Sequence, residues 1–203
     1  VCCLNKVCSC GRWLVGGGDD GGGDGGGDGG RREHHLAECA LYDRLCSNLD
    51  TMAGVYSRLG RPGEAIATYK RLLRQRPDHA NYWCSYASEL HDYGDYQSSL
   101  EASCRCFQLE ASPDSDSILD GASARAQAWL NFAITLRSAT SVEPDLETEE
   151  HERWERRLFG MSVALHKCLE VEPTNATALG FTEMLKLVDV SDLLVDFDPR
   201  GML

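Results

Sequence analysis

Four cysteines crowd the start of the chain, Cys2, Cys3, Cys8 and Cys10. Four thiolates are a ligand set for zinc, but structural zinc sites favour C-x2-C to C-x4-C knuckles, and an adjacent pair followed by C-x-C does not supply one. No metal and no cofactor is therefore assigned, and the segment reads as an unstructured tail. His35 and Cys39 stand one turn apart on a helix, which reads as a solvated helix start rather than a ligand pair. His151 lies between Glu150 and Glu152 with nothing to orient the three. His166 and Cys168 are two apart on a helix and so point in different directions. The chain contains no G-x-S-x-G, no G-x-x-x-x-G-K-[ST], no H-E-x-x-H and no G-x-G-x-x-G entering a helix. No catalytic site is expected, and the chain reads as a non-enzyme.

The elements that carry these residues belong to a chain of 203 residues with a net charge of -12. Phosphate neutralisation needs a basic face, so this balance argues against nucleic acid, and equally against an anionic membrane surface. No run approaches the length of apolar sequence that a membrane span requires. The apolar character of Val1 to Val15 is broken by Asn5, Lys6, Ser9 and Arg12, with no A-x-A-like site after it, so it does not resemble a signal peptide. Most of the ten cysteines fall in segments that read as helices, where a free thiol packs as a small apolar group. Reduced thiols in a cytoplasmic compartment are the expectation. Asn175-Ala176-Thr177 fits the glycosylation acceptor pattern, which carries little meaning without secretion.

Residues 16–30 are Gly and Asp alone. Such a stretch has no apolar area to offset its backbone entropy, so residues 1–30 are expected to form a disordered Cys-containing tail and acidic linker. Calcium-binding Gly-Asp repeats need an apolar residue in each repeat, and none is present. From Arg31 the apolar period becomes helical: Leu36, Ala40, Leu41, Leu45, Leu49, Met52, Ala53 and Tyr56 recur at i, i+3/i+4. Gly60 stops this helix, and Pro62 suits the first turn of the next, where its missing N–H costs nothing. Further stripes run through Ala65 to Leu73, Tyr82 to Leu90 and Leu100 to Leu109, separated by Pro77 and Gly94. Period-two patterns are absent. The fold expected for residues 31–203 is all-α, built of antiparallel helix pairs.

The pairs repeat. At a 34-residue step Leu49 falls on Trp83, Met52 on Tyr86, Ala53 on Ala87, Tyr56 on Leu90 and Gly60 on Gly94. Ala65, Tyr69 and Pro77 complete the first copy, and Ser99 and Ser103 hold the corresponding second-helix positions of the next. A third copy opens with Trp129, Phe132, Ala133 and Leu136, but its closing proline is Pro173 where an uninterrupted copy would place it at 157. An acidic insertion is therefore expected at about 138–152, and a helix from Ala176 reads as a fourth opening helix or a cap. This register resembles the tetratricopeptide repeat (TPR), with its W-x2-L-G-x2-Y, A-x3-F and P pattern. The resemblance implies an α-solenoid of about three repeats plus capping helices. Trp83, Tyr86 and Trp129 would fill the gaps between helices, and Ala53, Ala87 and Ala133 would allow close approach.

The resemblance also implies that the first helix of each pair lines a concave, partner-binding groove. The matching positions are Asp50, Thr51, Gly54 and Ser57, then Asn81, Ser85, Ser88 and His91, then Gln127, Asn131, Ile134 and Arg137. Asn81, Gln127 and Asn131 have the donors and acceptors to bond a peptide backbone. A branch of the family grips the acidic tails of chaperones with Lys, Asn and Arg side chains. Here the equivalent positions hold Asp50, Gly54, Ser85, Gln127 and Asn131, which lack the positive charge, so such a carboxylate clamp is not expected. The implied function is a protein-interaction scaffold or adaptor, its partner a peptide or helix with basic patches. The alternative is the accessory repeat region of a larger enzyme, for example a glycosyl- or sulfotransferase, of which this chain is a fragment. The run Ser191 to Asp198 mixes acidic and apolar residues and reads as a capping helix, started by Ser191, that covers the last apolar seam.

Overall fold

The computed structural model describes residues 28–111, 119, 121–140 and 149–185. The N-terminal cysteines, the Gly-Asp run before Asp28, the acidic residues Glu143, Asp145 and Glu147, and the C-terminal run from Ser191 lie outside the described residues, as do the side chains of His34, His35 and Cys39. Seven helices are present among the described residues, and no strand: α1 (Asp28–Arg58), α2 (Pro62–Gln75), α3 (Ala80–Tyr93), α4 (Tyr96–Glu110), α5 (Ala122–Ala139), α6 (Glu149–Val171) and α7 (Ala176–Leu185). Each packs on the next in sequence, and α3 also meets α5. This is an α-solenoid of three helix pairs followed by one more helix. No helix among the described residues is long and apolar enough to cross a membrane.

Local chemistry sets the breaks. Pro62 occupies the first turn of α2. Gly94 ends α3 in the left-handed region (φ 91°), with its N–H turned back to the carbonyls of His91 and Leu90, a conformation that costs a side-chain-bearing residue about 1–2 kcal/mol. Asp95 then opens α4 by accepting a hydrogen bond from the Ser98 N–H at 3.2 Å. Asn175 does the same for α7, its Oδ1 accepting from the Ala178 N–H at 3.0 Å.

One core runs through the later pairs. Leu100, Cys106, Phe132, Leu136, Leu165 and Cys168 are fully buried in it, and Phe107 stacks on Trp129 with ring centroids 3.9 Å apart. A second cluster joins Cys46, Leu49 and Ala53 of α1 to Tyr69 and Leu72 of α2, and a third joins Ile66 to Ala87, Leu90 and Ala102. The gap-filling role expected of Trp83, Tyr86 and Trp129 is shared: all three are half-buried, and Phe132 is the large aromatic that is sealed completely. Trp83 keeps its indole N–H at the edge, donating to the Pro77 carbonyl at 2.8 Å. Ser99 is buried and donates to the Ala87 carbonyl at 2.7 Å, which gives its hydroxyl a partner inside the α3–α4 seam.

Four expectations need correction. Cys84 and Cys106, read as free thiols, are joined by a disulfide; the antiparallel packing of α3 on α4 brings their Cα atoms to 5.5 Å, within bonding range. Cys46 and Cys168 are free and buried, and Cys104 is buried with them. Only part of the α1 stripe is core: Leu41, Leu45 and Met52 are exposed with Val55 and Leu59, because α2 covers one side of α1 and nothing described covers the other. α1 also begins at Asp28, three residues inside the expected linker, since an established helix extends at the cost of one residue per added hydrogen bond. Finally, the 138–152 segment is not all loop. Ser138 and Ala139 finish α5, and α6 starts at Glu149, so that the third pair has helices of 18 and 23 residues against 14 and 15 in the second.

Candidate functional site

The first helices of the three pairs face a common concavity of about 450 Å³. From α1 it takes Gly54 and Ser57, from α3 Asn81, Cys84, Ser85, Ser88 and Glu89, and from α5 Ala124, Gln127, Ala128 and Asn131. Tyr69 of α2 and Leu119 complete the lining. The helical period explains the set: Asn81, Ser85 and Ser88 recur on one face of α3, as Gln127 and Asn131 do on α5. Of the twelve positions that the resemblance gave to the groove, seven are brought together here: Gly54, Ser57, Asn81, Ser85, Ser88, Gln127 and Asn131.

His91 and Arg137 are not. His91 sits between α3 and α5, its Nδ1 3.1 Å from the Thr135 hydroxyl. That hydroxyl spends its own proton on the Asn131 carbonyl at 2.9 Å, so it accepts from the imidazole. Arg137 lies at the far end of α5, its guanidinium 4.4 Å from the centroid of the Phe181 ring on α7. There it borders a second, more apolar cavity of about 200 Å³, shared with Trp154, Leu158, Met161 and Met184. The physical reason is the packing of α7 on α6, which brings Phe181 against Arg137.

The groove carries polar groups of two kinds. Gln127 Nε2 donates to Asn131 Oδ1 at 2.7 Å, which leaves a carbonyl oxygen on Gln127 and an amide N–H₂ on Asn131 for a third group. The α1–α3 side is acidic. Tyr69 OH donates to Asp50 Oδ1 at 3.5 Å, and burial beside the Asp50 charge pushes the Tyr69 phenol up to about 12. Burial raises the Asp50 carboxyl in turn, with the Tyr69 hydrogen bond opposing it.

Glu89, which inspection of the sequence passes over, is the strongest case. The residue is 6% exposed, lies in the groove wall, and leaves Oε2 without a hydrogen-bond partner among the described residues. Burial raises its pKa, a hydrogen bond from Ser57 works against that, and the Asp92 charge adds to it. A carboxyl whose folded pKa lies above its unfolded value binds protons more readily when folded. Its ionisation therefore erodes stability as the pH climbs from the ordinary value of 4.5 through the raised one. Glu89→Gln should accordingly be the more stable chain at neutral pH in urea unfolding, with the difference closing as the pH falls toward 4.5. A variant equal to or weaker than wild type at neutral pH would mean that Glu89 carries no such penalty.

Among known families, the tetratricopeptide repeat model matches residues 47–89. The match spans the second half of α1, all of α2 and most of α3, and so includes Gly54, Ser57, Asn81, Ser85, Ser88 and Glu89 of the groove. No curated protein matches the chain. One tetratricopeptide repeat is thus matched directly, and the same paired-helix stacking continues through α6.

Proposed function

We propose that this chain is a non-catalytic interaction module that holds an extended segment of a partner protein in the groove formed by α1, α3 and α5. The supporting observation is the convergence of Asn81, Gln127 and Asn131 on one concavity walled by three separate helices. Side-chain amides placed there can bond the N–H and C=O groups of a peptide backbone without reference to its sequence. The solenoid keeps them in register, because each pair is positioned by its neighbours. The excess of acidic side chains over the whole chain favours partners that carry basic patches, by steering their approach.

The combined variant Asn81→Ala, Gln127→Ala, Asn131→Ala tests this reading. Peptides selected from a random display library on the full chain should lose at least about tenfold in affinity on the variant, by fluorescence polarisation, since each lost hydrogen bond is worth about 0.5–1.5 kcal/mol. The helical circular dichroism spectrum should be unchanged, because none of the three side chains is a core residue. Unaltered affinity would place the partner elsewhere.

A further inference from the structure

We infer that the groove is a receptor for a cation, with Glu89 as the counter-charge for one arginine or lysine side chain of the partner segment. The inference rests on the reading of the groove as a peptide site and names what that site selects. Glu89 is more than nine-tenths buried, belongs to the groove wall, and has an oxygen that no donor among the described residues reaches. A buried carboxylate is costly unless it is paired and hydrogen-bonded, and this one is half provided for. Ser57 serves one side of the group, and Oε2 is the part left for an incoming N–H.

The surroundings fit a guanidinium or ammonium. Among the described residues the lining contains no lysine or arginine that would compete for Glu89. Hydroxyls of Ser57, Ser85 and Ser88 border the same space and can accept from the remaining N–H groups of a guanidinium, which has five donors and no acceptor. Across from them, Leu119, Ala124 and Ala128 offer an apolar wall for the methylene stem. Tyr69, in the same lining, is bonded to the Asp50 carboxyl, which puts a second acid on this side of the groove. An acidic tail entering here would meet Glu89 and Asp50 with like charge, which costs affinity. A carboxylate kept at a stability penalty is then explained by what it binds.

The test uses the full chain and the library-selected peptides at physiological ionic strength. Each basic position is neutralised in turn, arginine by citrulline and lysine by acetyl-lysine. One position is expected to lose at least about tenfold in affinity for wild type, as truncated buried charge pairs do. That loss should vanish on Glu89→Gln and persist on Glu101→Gln, an exposed acid of α4 outside the groove. The comparison of arginine with citrulline on the wild-type chain needs no variant to fold. If the peptides need the Asn81, Gln127 and Asn131 amides but every neutralisation costs the same on wild type and Glu89→Gln, the cation site is overturned while the groove stands. If binding is indifferent to the three amides, or no peptide is selected, both readings fall.

Discussion

Phe132→Ala should destabilise the chain by about 3–5 kcal/mol, the range for removing a sealed aromatic and leaving a cavity behind. Phe132 is fully buried at the middle of α5. Its ring meets Phe107 of α4 edge-on at 5.6 Å and Trp129 of its own helix at 6.3 Å. α5 packs on both α4 and α6, so the walls of the cavity belong to three helices that cannot all close on it together. In a stack of repeats stability is the sum of each unit and its interfaces, and this residue serves the interface between the second and third pairs. Urea unfolding followed by circular dichroism measures the loss. A change below about 1 kcal/mol would mean that the third pair is not docked on the second as described.

Reduction of the Cys84–Cys106 bond should have the next largest effect. The bond ties α3 to α4 across 22 residues of sequence, and closing a loop of that size stabilises by about 3 kcal/mol in the chain-entropy account. Urea midpoints with and without reductant should differ accordingly. Alkylation before reduction should leave Cys84 and Cys106 unmodified in the mass spectrum. The buried thiols of Cys46, Cys104 and Cys168 need the chain unfolded before they react. Equal midpoints together with ready alkylation at Cys84 would show a pair of thiols. Disulfides persist in oxidising compartments and are rare in the cytosol, so the same alkylation on chain taken from its own cells also tests the expected cytoplasmic location.

The glutamine variant at Glu89 joins stability to binding. It should raise the first and weaken the second for a basic segment, whereas a residue with a purely architectural role would move both in one direction. Stabilising a binding site at the expense of what it binds is the usual outcome when a strained or unpaired group is removed.

Much of the architecture can be read from residue order alone. The 3.6-residue period of apolar side chains, the stops at Gly60 and Gly94 and the 34-residue step from Leu49 to Trp83 depend on neighbours in sequence, and they determined the helices, their pairing and the repeat. The resemblance carried by that register implied a groove lined by Asn81, Ser85, Ser88, Gln127 and Asn131, and those five meet. Tertiary structure alone decided the rest. Glu89 looks in sequence like any acid on an exposed helix, and becomes a buried one only when α1 and α2 bring Ser57 and Tyr69 against α3. His91 and Arg137 share the helical phase of the groove residues, yet Thr135 and Phe181 claim them. Leu41 and Cys46 belong to one stripe, and α2 covers the second and not the first. Periodicity settles which way a side chain points from its own helix; whether it meets water, a neighbour or an empty groove is settled by chain that arrives from far away in sequence.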